Sequence, residues 1–176
     1  MSFLFCPNCG PVDIENTHFV NQEETLTVRG EAITHIAPVR ICDTCGESIY
    51  DEELDAPSLD EVYAIYRRRH NLIAPGEIAA LRETYGLSQR GLSALLGLGE
   101  VTIHRYENGA LPEEAYSHLL RLLKRPENMK EIFDERKDRL SSAARRKLEN
   151  RLELLLHEHE RLTEPRARRD GQAAAA

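Results

Sequence analysis

Tryptophan is absent from the 176 residues, aromatics amount to only 6%, and methionine occurs twice. So little large apolar material argues against one big core and for small units, some held by something other than packing. No window approaches 18 apolar residues, so no membrane-spanning helix is expected. The opening "MSFLF" has neither a basic stretch nor a long apolar one, so no secretory signal is expected, and the expected location is the cytoplasm, where thiols stay reduced. Basic charge is scarce at the front. Residues 1–60 hold twelve Asp/Glu against two Lys/Arg, a net −10, whereas residues 61–176 carry +3. An acidic first third followed by a mildly basic remainder points to two partners of opposite sign. No phosphate-cradling glycine loop, Ser/His/Asp set or usefully spaced carboxylate pair is present, so an enzyme is not expected.

Cysteine is sparse but ordered. Cys6, Cys9, Cys42 and Cys45 are the only four, in "FCPNCG" and "ICDTCGE". Each C-x-x-C turn offers two thiolates on one side of a tight loop, and the following glycine, Gly10 or Gly46, permits the positive φ that turns backbone N–H groups toward sulfur. Two such knuckles supply the four soft ligands of a tetrahedral Zn²⁺, with no position left for water, so the metal is structural. A thioredoxin-like redox pair would need a βαβ setting that neither pair has. His18 and His35 lie between the knuckles and are not needed as ligands. The 32-residue spacer carries "ETLTVRGEAITHI", two β-rich runs about Gly30, which predicts a hairpin.

Beyond residue 56 the pattern turns helical. Ser58 and Glu61 form a capping-box signature after Pro57, predicting a helix in which Val62, Ile65 and Tyr66 share a face. Its basic run, Arg67, Arg68, Arg69 and His70, suits phosphate contact or a solvated helix end equally. Pro75 opens a second helix, closed by Gly86. Ser88 caps a third, with Leu92, Leu95 and Leu96 inward. "GLG" at 97–99 turns the chain, and "EVTIHRYENG" at 100–109 forms a fourth helix, apolar at Ile103 and Tyr106 only, that ends at Asn108-Gly109. Two short helices about a glycine turn describe a helix-turn-helix. Glu100, Val101, Thr102 and Arg105 are then the exposed N-terminal positions of the second.

The stretch "GLSQRGLSALLGLGEVTIHRYENG" resembles the Xre/Cro-type repressors, over residues 78–123. The resemblance implies that the second helix lies in the major groove of operator DNA. It implies that Gln89 anchors phosphate and braces the reading helix, that Val101 and Arg105 read bases with Glu100 and Thr102 flanking them, and that Glu107 turns inward to pair with Arg82. Arg105 matches guanine O6/N7 in a bidentate way. His104 is expected to face solvent, with phosphate contact as a lesser expectation. Six basic residues meet six acidic ones over 77–125, so a DNA face must come from how the charge is arranged, and a homodimer is needed to add half-sites.

Knuckle, hairpin, second knuckle, acidic run and Cro-like region, in that order, resemble the MqsA-type antitoxins, which pair a YgiT-type zinc finger with a helix-turn-helix. The resemblance covers roughly residues 3–133. It implies that the zinc domain binds a small basic toxin and the other domain dimerises and represses its own operon. The alternative is a stand-alone zinc-containing regulator of the Xre family. The expected class is α+β: a zinc-binding β-hairpin domain over 1–56, a linker helix over 57–74, an all-α helix-turn-helix domain over 75–136, a C-terminal helix over 137–163 and a disordered tail over 164–176.

In "SAARRKLENRLELLLHEHERL", Leu148, Leu152, Leu155, His159 and Leu162 fall at alternating four- and three-residue steps. That is about two heptads, read as an extra dimer contact or a toxin-specific arm in preference to a helix packed on its own domain. The family's base-reading asparagine is Val101 here, which predicts a different sequence preference. "HEHE" at 157–160 is not expected to hold metal, because His157 and His159 do not share a helix face.

Overall fold

The computed structural model describes residues 3–163; the tail expected to be disordered over 164–176 lies outside them. The chain is α+β, with strands first and helices after. It divides into two compact units at Leu72/Ile73. Among the described residues no helix is long and apolar enough to cross a membrane.

The first unit is built from short hairpins. β1 (Phe3–Cys6) pairs antiparallel with β2 (Gly10–Asp13), Cys6 opposite Gly10. β3 (Thr17–Val28) pairs antiparallel with β4 (Glu31–Cys42) in an uninterrupted register from Thr17↔Cys42 to Val28↔Glu31. The turn between them is Arg29-Gly30, both at positive φ (51° and 85°), the backbone handedness that matches strand twist in two-residue hairpins. β5 (Ser48–Ile49) adds to the far end of β4, giving the order β3-β4-β5.

The helix α1 (Glu52–Arg69) packs against β4. Its start differs from the sequence expectation. The Asp51 side chain accepts from the Glu53 N–H at 3.0 Å and opens the helix, which leaves Pro57 inside the first turns and Ser58 buried. The linker helix expected over 57–74 thus starts earlier, at Glu52, and is laid on the hairpin of the first unit, with Val62 and Tyr66 buried on its inner side and Ile33, Ala37 and Val39 buried on β4. Arg69 and His70 close its end on Glu31, at 2.6 and 2.5 Å, and the His70 ring stacks on Tyr66. In the basic run these two residues are engaged with Glu31, a partner that neither expected reading supplied.

The second unit is helical: α2 (Pro75–Thr84), α3 (Gln89–Leu96), α4 (Thr102–Glu107), α5 (Glu114–Leu122), α6 (Pro126–Arg136) and α7 (Ser142–Thr163). The turns are as their residues dictate. Glu77 accepts the Ala74 N–H at 2.9 Å, Ser88 accepts the Gly91 N–H at 3.0 Å, and Gly97 ends α3 with φ 73°. One core joins Ile73, Ile78, Leu81, Tyr85, Leu92, Leu95 and Ile103 to Leu120, Met129 and Phe133. Leu148 and Leu152 of α7 belong to that same core, fully buried. This corrects the reading of α7 as a dimer contact or an arm. Leu155 packs partly on the core, His159 pairs with Glu127 at 2.5 Å, and only Leu162 of the five-residue register stands in solvent. The stripe is the inner side of a helix that finishes its own domain.

Candidate metal centre and reading surface

Two turns bring the cysteines together. Cys6 and Cys9 flank the β1–β2 turn, and Cys42 and Cys45 flank the β4–β5 turn. Gly10 and Gly46 follow them at φ 82° and 75°, so each knuckle is a turn that a side chain at that position would strain. The Gly46 N–H donates to the Cys42 carbonyl at 2.8 Å and the Cys42 N–H to the Glu47 carbonyl at 2.9 Å, closing the second knuckle. The four sulfurs lie within 4.8 Å of one another, Cys6 and Cys45 3.5 Å apart. A tetrahedral ion with metal–sulfur bonds of about 2.3 Å sets its sulfurs about 3.8 Å apart. The set fits such an ion, and four protein ligands would close its coordination. No other group of three or more Cys, His, Asp or Glu among the described residues is arranged to hold a metal.

The thiols do not behave alike. The Glu47 backbone N–H, aided by the neighbouring Cys9, brings Cys45 down to about 7. Sharing hydrogen bonds first with Cys45 pushes Cys9 up to about 12. Four sulfurs packed this closely cannot all ionise without a cation among them, which is the chemistry a metal supplies. Around the knuckles the core is slight: Cys6, Val12, Cys42 and Ile49, with Leu4 against them. Burying two aliphatic side chains is worth about 3–6 kcal/mol, whereas a structural zinc ion binds small domains with about 10–16 kcal/mol. A bound metal would therefore do more than packing to hold the knuckles together. Behind them Arg40 bonds Asp51 at 2.5 Å and Thr17 at 3.0 Å, tying the strand that carries Cys42 to the start of α1. His18 is engaged with Asp43 at 2.5 Å, and both ring nitrogens of the buried His35 lack a hydrogen-bond partner.

In the second unit, α3 and α4 meet across the five residues 97–101, two more than the expected glycine turn. Ser93, fully buried on α3, accepts the Ile103 N–H at 3.4 Å, and Ile103 is the buried residue of α4. The opposite side of α4 is open: Val101, His104, Arg105 and Asn108 are exposed, one helical face by their spacing, and Thr102 is half-buried. Arg82 on α2 donates to Glu107 through Nε at 2.6 Å and Nη2 at 3.2 Å, and Gln89 donates to the same carboxylate at 2.6 Å. Gln89 thus braces α4 from the start of α3. Burial works to raise the Glu107 carboxyl, but the Arg82 and Gln89 hydrogen bonds outweigh it and hold it below the usual value. Glu100, at the mouth of α4, is paired with Arg90 at 2.6 Å, both well exposed. Arg90 lies outside the expected contact positions, although its place beside Gln89 at the start of α3 is the available signal. The His104 ring Nε2 accepts from the Asn108 side-chain amide at 3.2 Å.

No curated protein matches the chain in sequence. The family model described as the antitoxin component of bacterial toxin–antitoxin systems, MqsA, matches residues 4–133, which take in both knuckles, the hairpin, α1 and the helices through the core of the second unit. The chain therefore belongs to the MqsA antitoxin family.

Proposed function

We propose that the chain is a type II antitoxin with two separate grips: the first unit, held by one structural Zn²⁺ on Cys6, Cys9, Cys42 and Cys45, binds and neutralises a small basic toxin, and the second represses the antitoxin's own operon as a homodimer. The observation that carries the reading is the family match running unbroken across both units. The −10 charge of residues 1–60 agrees with a basic partner, since complementary charge speeds encounter and sets specificity. In the second unit α3, the glycine turn and α4 act as a helix-turn-helix. The exposed Val101 and Arg105 read base edges, with Glu100, Thr102 and His104 beside them and Gln89 at a phosphate as well as at Glu107. Two α4 helices of a dimer would then sit about 34–36 Å apart, one turn of DNA. The protein works by binding, not by catalysis, and acts in the cytoplasm.

Co-expression tests it. The product of the adjacent small reading frame should arrest growth alone, and this chain should relieve the arrest and copurify with it. A harmless neighbour, or one that stays toxic beside this chain, would leave only the regulator.

A further inference from the structure

We propose that the outer edge of β3 is the docking site for a basic β-strand of the partner protein, which extends the sheet there; this deepens the antitoxin reading and rests on it. β3 is twelve residues long and, among the described residues, pairs with β4 alone. β4 is otherwise occupied, with α1 packed against it and β5 at its end. Natural sheets protect a long free edge with charged side chains, lysine above all, or with proline or a bulge, and on β3 the carboxylates Glu23 and Glu24 bar strands of like charge but not basic ones. β3, "THFVNQEETLTV", has no Lys, Arg or Pro, and its register with β4 runs without a bulge. It is an unpaired row of backbone donors and acceptors left available.

The side chains along that edge state what it accepts. At its centre Glu23 stands exposed and Glu24 half-buried, and being consecutive they point to opposite faces of the strand. Phe19, on the Glu23 face, is 61% exposed, and Val20 and Leu26, on the Glu24 face, are 36% and 37% exposed. A matching strand carries two consecutive Lys or Arg in its middle, opposite the glutamates, and apolar residues toward its ends, opposite Phe19, Val20 and Leu26. The same glutamates disfavour a second copy of this chain. Two β3 edges paired about a central two-fold set Glu23 or Glu24 against its own twin, and like charges directly opposite destabilise a sheet.

The test is backbone amide exchange on the full zinc-loaded chain, alone and in complex with the co-expressed product of the adjacent reading frame. In the complex, alternate N–H groups of β3, those not already bonded to β4, should exchange at least about tenfold more slowly. The double variant Glu23→Lys/Glu24→Lys should weaken the complex about tenfold or more, while zinc content and the exchange of β4 and α1 stay as they were. A complex that leaves β3 exchange unchanged overturns the edge but not the antitoxin reading. Slowing of the same amides in the chain alone, growing with concentration, gives the edge to a second copy and overturns it too. Absence of any complex overturns the antitoxin reading, and the edge falls with it.

Discussion

Glu107 shows how one side chain can hold a short helix to its domain. It takes three hydrogen bonds, two from Arg82 and one from Gln89, with little of its surface exposed. Truncating one member of such a pair leaves the other charge partly desolvated, which costs more than removing both. Glu107→Ala should therefore lose about 2–3 kcal/mol in urea unfolding of the second unit, and Arg82→Ala/Glu107→Ala should lose less than the two single changes added together. The same pair makes stability depend on pH. The folded carboxyl titrates below its ordinary value of 4.5, so its contribution is complete above that pH and is lost as pH falls through the folded value. Between pH 6 and pH 3 the urea midpoint of the second unit should fall less in Glu107→Gln than in the unaltered chain. Arg105, by contrast, stands free of the scaffold on the exposed side of α4. Arg105→Ala should leave stability unchanged and cost about 1–3 kcal/mol of operator affinity, relaxing preference at one base pair in a binding-site selection.

At the scale of elements, what was legible in sequence is what local chemistry settles alone. The two C-x-x-C-G knuckles, the Gly30 hairpin, the Ser88 cap and the Gly97 turn each depend on a few adjacent residues. The start of α1 does not: Ser58 and Glu61 carry a cap signature, yet Asp51 wins because Arg40, eleven residues back, fixes it there. Nor does the side on which α7 is buried. A four-three leucine register looks the same whether its partner is another chain or the helix's own domain, and only the core that receives Leu148 and Leu152 decides. The extension also caps its neighbours. Arg151 donates to the Thr84 carbonyl at the end of α2, and Arg136 to the Leu96 carbonyl at the end of α3, where positive charge meets the negative end of the helix dipole. The family match stops at residue 133, and α7, beyond it, supplies Leu148 and Leu152 to the core of its domain. Leu148→Ala should cost about 2–5 kcal/mol in the same urea experiment, and a chain ended at 141 should lose the cooperative unfolding of the second unit.

For the molecule as a whole, the two units have separate hydrophobic clusters and differ in what could hold them. The first has few buried aliphatic residues around its knuckles and four thiols in place of them; the second has a continuous core and no metal-holding group among the described residues. Cys9→Ser should therefore abolish stoichiometric zinc and unfold residues 3–72 while operator binding by the second unit persists, as circular dichroism and a gel shift would report. The most direct test of the account is the amide spectrum of the full chain, recorded with metal content before and after chelation. One equivalent of zinc is expected at the outset and, on its removal, collapse of the signals from residues 3–72 with those from 73–163 in place. Dispersed signals from the first unit in protein holding far less than one equivalent of metal would contradict it.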